Sequence, residues 1–114
     1  MINRRLRLNE RIRDEMGKII AEELEFPEGT LVTVIRAEIS EKLGGARIFI
    51  SVFPKKFGEE VIRGIKKRTP YLRALLKTKL RIRIMPQINF ILDRSMESIE
   101  RIEEILNKYG AVAK

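Results

Sequence analysis

Residues 63–92, RGIKKRTPYLRALLKTKLRIRIMPQINFIL, decide the fold. Between Arg63 and Ile84 there are nine Lys or Arg and no Asp or Glu. The apolar residues begin at helical spacing and end at alternation. Thr69-Pro70 interrupts the helical part. Proline is excluded from a helix interior but suits the first turn of a new helix, and threonine is a good N-cap. The reading is therefore two helices meeting at a kink made by Arg68, Thr69 and Pro70. The first covers about 57–68, with Val61, Ile62 and Ile65 inward. The second covers about 70–78, with Leu72, Leu75 and Leu76 inward. The period then changes to two: Leu80, Ile82 and Ile84 alternate with Lys79, Arg81 and Arg83. Pro86 predicts a bulge or an edge strand, after which Ile88, Phe90 and Leu92 resume the alternation.

Upstream, residues 8–24 read as a helix, with Leu8, Ile12, Met16, Ile19, Ile20 and Leu24 on one stripe and Asn9 as N-cap. Phe26 to Gly29 is turn chemistry. Residues 31–39 and 46–53 read as strands joined by Ser40–Gly45, an antiparallel hairpin. Ala46, Ile48, Ile50 and Val52 face the core. Phe49 and Phe53 lie on the opposite face and are expected to pack beneath the first or last helix rather than stack on bases. A helical crossover from the second strand to the third makes those two parallel, giving sheet order 1-2-3. A last helix is expected from Met96 to Asn107, opened by Asp93 and Ser95.

The 114 residues suit a single domain, 1–114, with a core of about 5–107 and a short tail at 108–114. Formal net charge is +8, yet residues 61–85 alone hold +9. The other segments are +3 (1–20), −3 (21–60) and −1 (86–114). A basic face of this kind implies a polyanion. The chain has no Cys and no His. Disulfides, thiolate chemistry, imidazole acid–base work and Cys/His zinc sites are thereby excluded. No apolar run reaches membrane-spanning length, and the charged start does not read as a signal peptide. The expectation is a cytoplasmic monomer without metal, cofactor or catalytic constellation.

The expected RNA-contacting residues are Arg63, Lys66, Lys67, Arg68, Arg73, Lys77, Lys79, Arg81 and Arg83. Arg4, Arg5, Arg7, Arg11 and Arg13 form a second cluster, which either extends this surface or is a frayed terminus with Arg11 and Arg13 paired to nearby acids. The Glu22-Glu23-Glu25 and Glu59-Glu60 groups read as structural, the latter suiting the first turn of a helix.

The predicted element order, α-β-β-α-kink-α-β-α, is that of an α+β, type II KH-like domain. KH domains usually clamp nucleic acid with a Gly-x-x-Gly loop between the middle helices. Here that place reads Lys67-Arg68-Thr69-Pro70. The chain resembles the ribosome-binding factor A family over roughly residues 4–107. RLNERIRDEMGKII, ARIFISVF and LRALLKTKLRIRIMPQINFILDRSMESIERIEEIL carry the resemblance. Pro86, Ile88, Phe90, Asp93 and Ser95 match its Pro-x-hydrophobic-x-Phe-x-x-Asp-x-Ser pattern. Arg68-Thr69-Pro70 stands where the family usually has Ala-x-Gly.

The resemblance implies a non-enzymatic bacterial assembly factor. It would bind the free or immature small (30S) subunit and its 16S rRNA, touch adjacent ribosomal proteins, and assist rRNA maturation near the 5′ end, with a part in cold adaptation. The residues alone leave two other readings open. One is a basic module for an acidic protein partner. The other is a non-specific nucleic-acid binder, which excess duplex DNA would compete away.

Overall fold

The structure, a computed structural model, describes residues 4–40, 42, 44–95 and 106. Its elements follow the order α1 (Arg4–Glu23), β1 (Leu31–Ile39), β2 (Gly45–Phe53), a 3-10 turn (Lys55–Phe57), α2 (Gly58–Lys67), α3 (Thr69–Leu80) and β3 (Gln87–Leu92). The expected last helix lies outside the described residues.

The sheet order is β1-β2-β3. β1 pairs antiparallel with β2, from Leu31 opposite Phe53 to Ile39 opposite Ala46, with a bulge between Val34 and Arg36. β3 runs parallel to β2, from Gln87 beside Gly45 to Leu92 beside Ile50. This is the mixed, KH-like topology expected of the crossover. The hairpin end is fastened by Ser40 and Gly45. The Ser40 amide donates to the Gly45 carbonyl at 2.8 Å, and the Gly45 amide donates to the Ser40 hydroxyl at 3.2 Å.

Alternation places Ala46, Ile48, Ile50 and Val52 on one face of β2, all buried. The inner stripes of the helices close over them: Ile12, Met16, Ile19 and Ile20 from α1, Val61, Ile62 and Ile65 from α2, Leu72, Leu76 and Leu80 from α3. Phe90 of β3 completes this layer at 1% exposure. Gly58 packs closely against β3: a Cβ there would sit 3.0 Å from a methyl of Leu92, so a larger residue requires that side chain to shift. The turn after α1 closes with the Thr30 amide on the Pro27 carbonyl at 3.1 Å, with Gly29 at φ +81°. That positive φ is the reason a glycine sits at the third position.

Two expectations change. Asn9 does not cap α1, which starts earlier. Its carboxamide oxygen instead accepts the Ile39 amide at 2.9 Å, tying helix to strand. Residues 79–84 are not strand. α3 runs on to Leu80 and Arg81 ends it in the left-handed conformation, φ 56°. Ile84 is 80% exposed, so its alternation with Ile82 marks no buried face. Of the two alternatives at Pro86 the edge strand holds: the proline makes no bulge and immediately precedes β3, which lies at an edge of the sheet. Phe49 and Phe53 lie opposite the α1 side of the sheet, so the first helix does not cover them; the last helix, the other expected cover, lies outside the described residues. Phe53 is half exposed, and Phe49 lies under the Arg36 guanidinium, 3.8 Å from the ring centroid.

Candidate nucleic-acid interface

The joint between α2 and α3 is one residue wide. Arg68 (φ −97°, ψ 9°) leaves the helical region between them. Its amide donates to the Ile65 carbonyl at 3.0 Å, and its carbonyl accepts the Leu72 amide at 2.9 Å. Pro70 sits in the first turn of α3, where its missing N–H has no helical partner to lose. Thr69 is not the expected cap. Its hydroxyl donates backward to the Lys66 carbonyl at 2.8 Å, adding to the backbone capping of that acceptor at the end of α2.

This joint lets two short amphipathic helices bury their apolar stripes in one core while their basic residues stay in water. Arg63, Lys66, Lys67, Arg68, Lys77 and Lys79 are all exposed. Lys66 and Lys67 end α2, and Lys77 and Lys79 end α3. In each place cations complement the helix dipole. Arg81 and Arg83 continue the exposed series into the connection before β3. Among the described residues, no ion pair involves any residue from 61 to 85. Arg68 instead lies 5.0 Å over the Tyr71 ring.

Arg73 departs from this set. It is half-buried, its Nε donates to the Pro86 carbonyl at 2.9 Å, and a terminal nitrogen donates to the Met85 carbonyl. Its role here is to fasten the connection after α3. Arg11 is exposed and reaches the Leu80 carbonyl at 3.4 Å, which brings α1 against the end of α3. Arg4 and Arg7 are exposed on the first turns of α1, whereas Arg5 is half-buried and engaged. Arg13 pairs with Asp14 at 2.9 Å.

Sequence reasoning missed Tyr71. Its hydroxyl donates to the Glu23 carboxylate at the end of α1. That bond, with partial burial, raises the phenol above its ordinary value. Nothing in the local pattern signals a contact spanning 48 residues. Also unforeseen is a cleft of about 620 Å³ between the end of α1 and α2, reaching Lys67 and Arg68. Among the described residues, no cluster of Asp or Glu is arranged to hold a metal ion. None of their helices is long and apolar enough to cross a membrane.

The geometry is that of a KH-like scaffold in which a one-residue basic joint replaces the glycine clamp. The sequence profile of ribosome-binding factor A matches residues 4–106, and the chain belongs to that family. Ribosome-binding factor A of Halothermothrix orenii is 34% identical over 103 residues, covering 90% of this chain and 84% of the relative. The crystal structure of ribosome-binding factor A from Thermus thermophilus superposes with a TM-score of 0.69. It is 22% identical and covers 80% of this chain and 97% of that one. A homology model of the Thermus thermophilus factor, fitted into a cryo-EM map of its complex with the 30S subunit, also gives 0.69. It is 22% identical, covering 79% and 96%.

Proposed function

We propose that this protein is a ribosome assembly factor that docks its α2–α3 face on folded 16S rRNA of the free or immature small subunit and assists maturation near the 5′ end. One observation carries the proposal: the unbroken basic series from Arg63 to Arg83 has no carboxylate partner among the described residues. Such uncompensated charge repels itself until an anion arrives. Family membership supports small-subunit rRNA as that anion.

The contacting residues are Arg63, Lys66, Lys67, Arg68, Lys77, Lys79, Arg81 and Arg83, with Arg4 and Arg7 at the margin. Phosphate neutralisation sets affinity, and the shape presented by the kink sets register. Binding one rRNA conformation shifts the folding population toward it. The factor acts as a single-domain cytoplasmic monomer, without chemistry of its own, and it contributes to assembly in the cold.

Gradient co-sedimentation at moderate salt with excess duplex DNA tests this. Wild type is expected with free or precursor small subunits. A variant carrying Lys66→Glu, Lys67→Glu and Arg68→Glu is expected at the top of the gradient. Wild type remaining at the top would overturn the proposal and favour an acidic protein partner. Equal binding by both would move the interface to another face.

A further inference from the structure

We propose that the cleft between the end of α1 and α2 receives a single unpaired nucleotide of the docked RNA, with preference for a base that presents N–H donors, guanine foremost. The proposal rests on the RNA-docking reading above and deepens it from shape to base recognition.

The cleft volume, about 620 Å³, falls in the range of small-molecule sites. Its apolar lining is Leu24, Phe26, Pro27 and Val61. That suits the flat face of a base, as aromatic and apolar side chains do for bases splayed out of RNA. Its charged lining is of both signs. Lys67 and Arg68 belong to the basic joint, so a strand lying on that joint passes the cleft mouth with its phosphates already placed. Glu25 and Glu60 also line it, and among the described residues neither is in an ion pair.

A wholly anionic ligand meets the two glutamates, and a wholly cationic peptide meets Lys67 and Arg68. A nucleotide separates its phosphate from its base and can satisfy both. Carboxylates accept hydrogen bonds and donate none, so they select bases with exposed N–H groups. Guanine offers two adjacent donor groups; uracil offers one.

Glu23, the remaining carboxylate of the lining, is held by the Tyr71 hydroxyl. Arg68 lies over that same ring. The cleft wall and the joint are thus built from one set of contacts.

Gly64 provides the test. It lines the cleft, and a Cβ added there meets no atom within 4 Å. Gly64→Leu therefore fills the cleft without a backbone clash or a change of charge, in a helix that gains from losing glycine. Guanosine 5′-monophosphate, uridine 5′-monophosphate and inorganic phosphate are titrated at millimolar concentration into ¹⁵N-labelled protein. The guanosine nucleotide is expected to move the amides of Leu24, Phe26, Val61 and Gly64, with affinity at least threefold above uridine. Gly64→Leu is expected to abolish that response and Gly64→Ala to keep it.

Identical patterns for nucleotide and inorganic phosphate would overturn the assignment, leaving an anion contact at Lys67 and Arg68. So would a cleft response to a lysine-rich peptide in place of nucleotide, which would make the partner a protein. Co-sedimentation of wild type separates the two layers. Sedimentation without a nucleotide response removes only the cleft assignment, whereas failure to sediment removes the docking reading beneath it.

Discussion

The outer face of the sheet and the outer face of α2–α3 both carry arginines, and they treat them oppositely. On the sheet, Arg36 pairs with Glu38 at 3.2 Å and Asp93 at 3.4 Å, and Arg47 pairs with Glu38 at 2.7 Å. Both guanidiniums lie over Phe49, at 3.8 and 5.7 Å. Positive charge there is matched by carboxylate and covers an aromatic ring. On α2–α3, among the described residues, no cation is in an ion pair. Arginine content does not tell the two faces apart; compensation does. A compensated arginine has given its donors to the protein, and an uncompensated one keeps them for a ligand.

The comparison breaks or sharpens with substitutions on each side. The largest expected effect is on binding. Reversing Lys66, Lys67 and Arg68 to Glu is expected to weaken small-subunit association by about two orders of magnitude or more. Replacing Arg36 and Arg47 by Gln is expected to leave it within about threefold, because exposed paired charges steer little. Binding isotherms at one salt concentration compare the two, and equal losses would refute the distinction.

Next comes Arg73, a basic-run residue whose donors go inward. Arg73→Met is expected to lower unfolding free energy by about 2 kcal/mol in urea titration, by stripping charged donors from the Met85 and Pro86 carbonyls. Affinity per folded molecule should stay near wild type. A loss of affinity without a loss of stability would return Arg73 to the interface.

On the sheet face, Asp93 gives a pH signature. Its side chain is 9% exposed. Hydrogen bonds from the Ser95 hydroxyl and amide, then Arg36, hold its carboxyl below the ordinary carboxylate range, against burial, which raises it. A depressed folded value means the stabilisation is complete above the unfolded value, about 3.9. It is lost as pH falls through that value toward the folded one. Asp93→Asn should flatten that limb of the stability–pH curve. No such limb is expected from the basic face.

The smallest effect belongs to Arg81. Its left-handed conformation strains any residue but glycine or asparagine. Arg81→Gly should raise unfolding free energy by about 1 kcal/mol while weakening RNA association slightly, so the two readouts move in opposite directions.

Local periodicity is sufficient where one rhythm dominates. The strand from Leu31 to Ile39 and the inward faces of α1, α2 and β2 follow directly from spacing. Residues 79–84 carry two rhythms at once. Leu80 is the start of an alternation with Ile82 and Ile84, but it is also four residues beyond Leu76 and eight beyond Leu72. Helical burial won, because all three leucines enter the core, whereas Ile84 has nothing to bury against. The backbone reversal at Arg81 has no composition cue, since glycine usually marks it.

The site was legible as a charge run and not as a set of contacts. Arg73 and Lys77 look alike in sequence; only the placement of the 85–86 carbonyls distinguishes them. Asn9, Tyr71 and Arg11 act across 30, 48 and 69 positions, beyond the reach of any window.

The tether from Arg73 bears on more than stability. Arg81 and Arg83 lie on an irregular connection, and irregular segments that grip RNA commonly lose conformational freedom when they do so. Here the segment is anchored at its start by the end of α3, at its far end by the Gln87 amide on the Gly44 carbonyl at 3.2 Å, and near that end by the Arg73 guanidinium. Its backbone is preorganised. In the proposed docking little backbone entropy would be lost in this segment, so a larger share of each phosphate contact would appear as affinity.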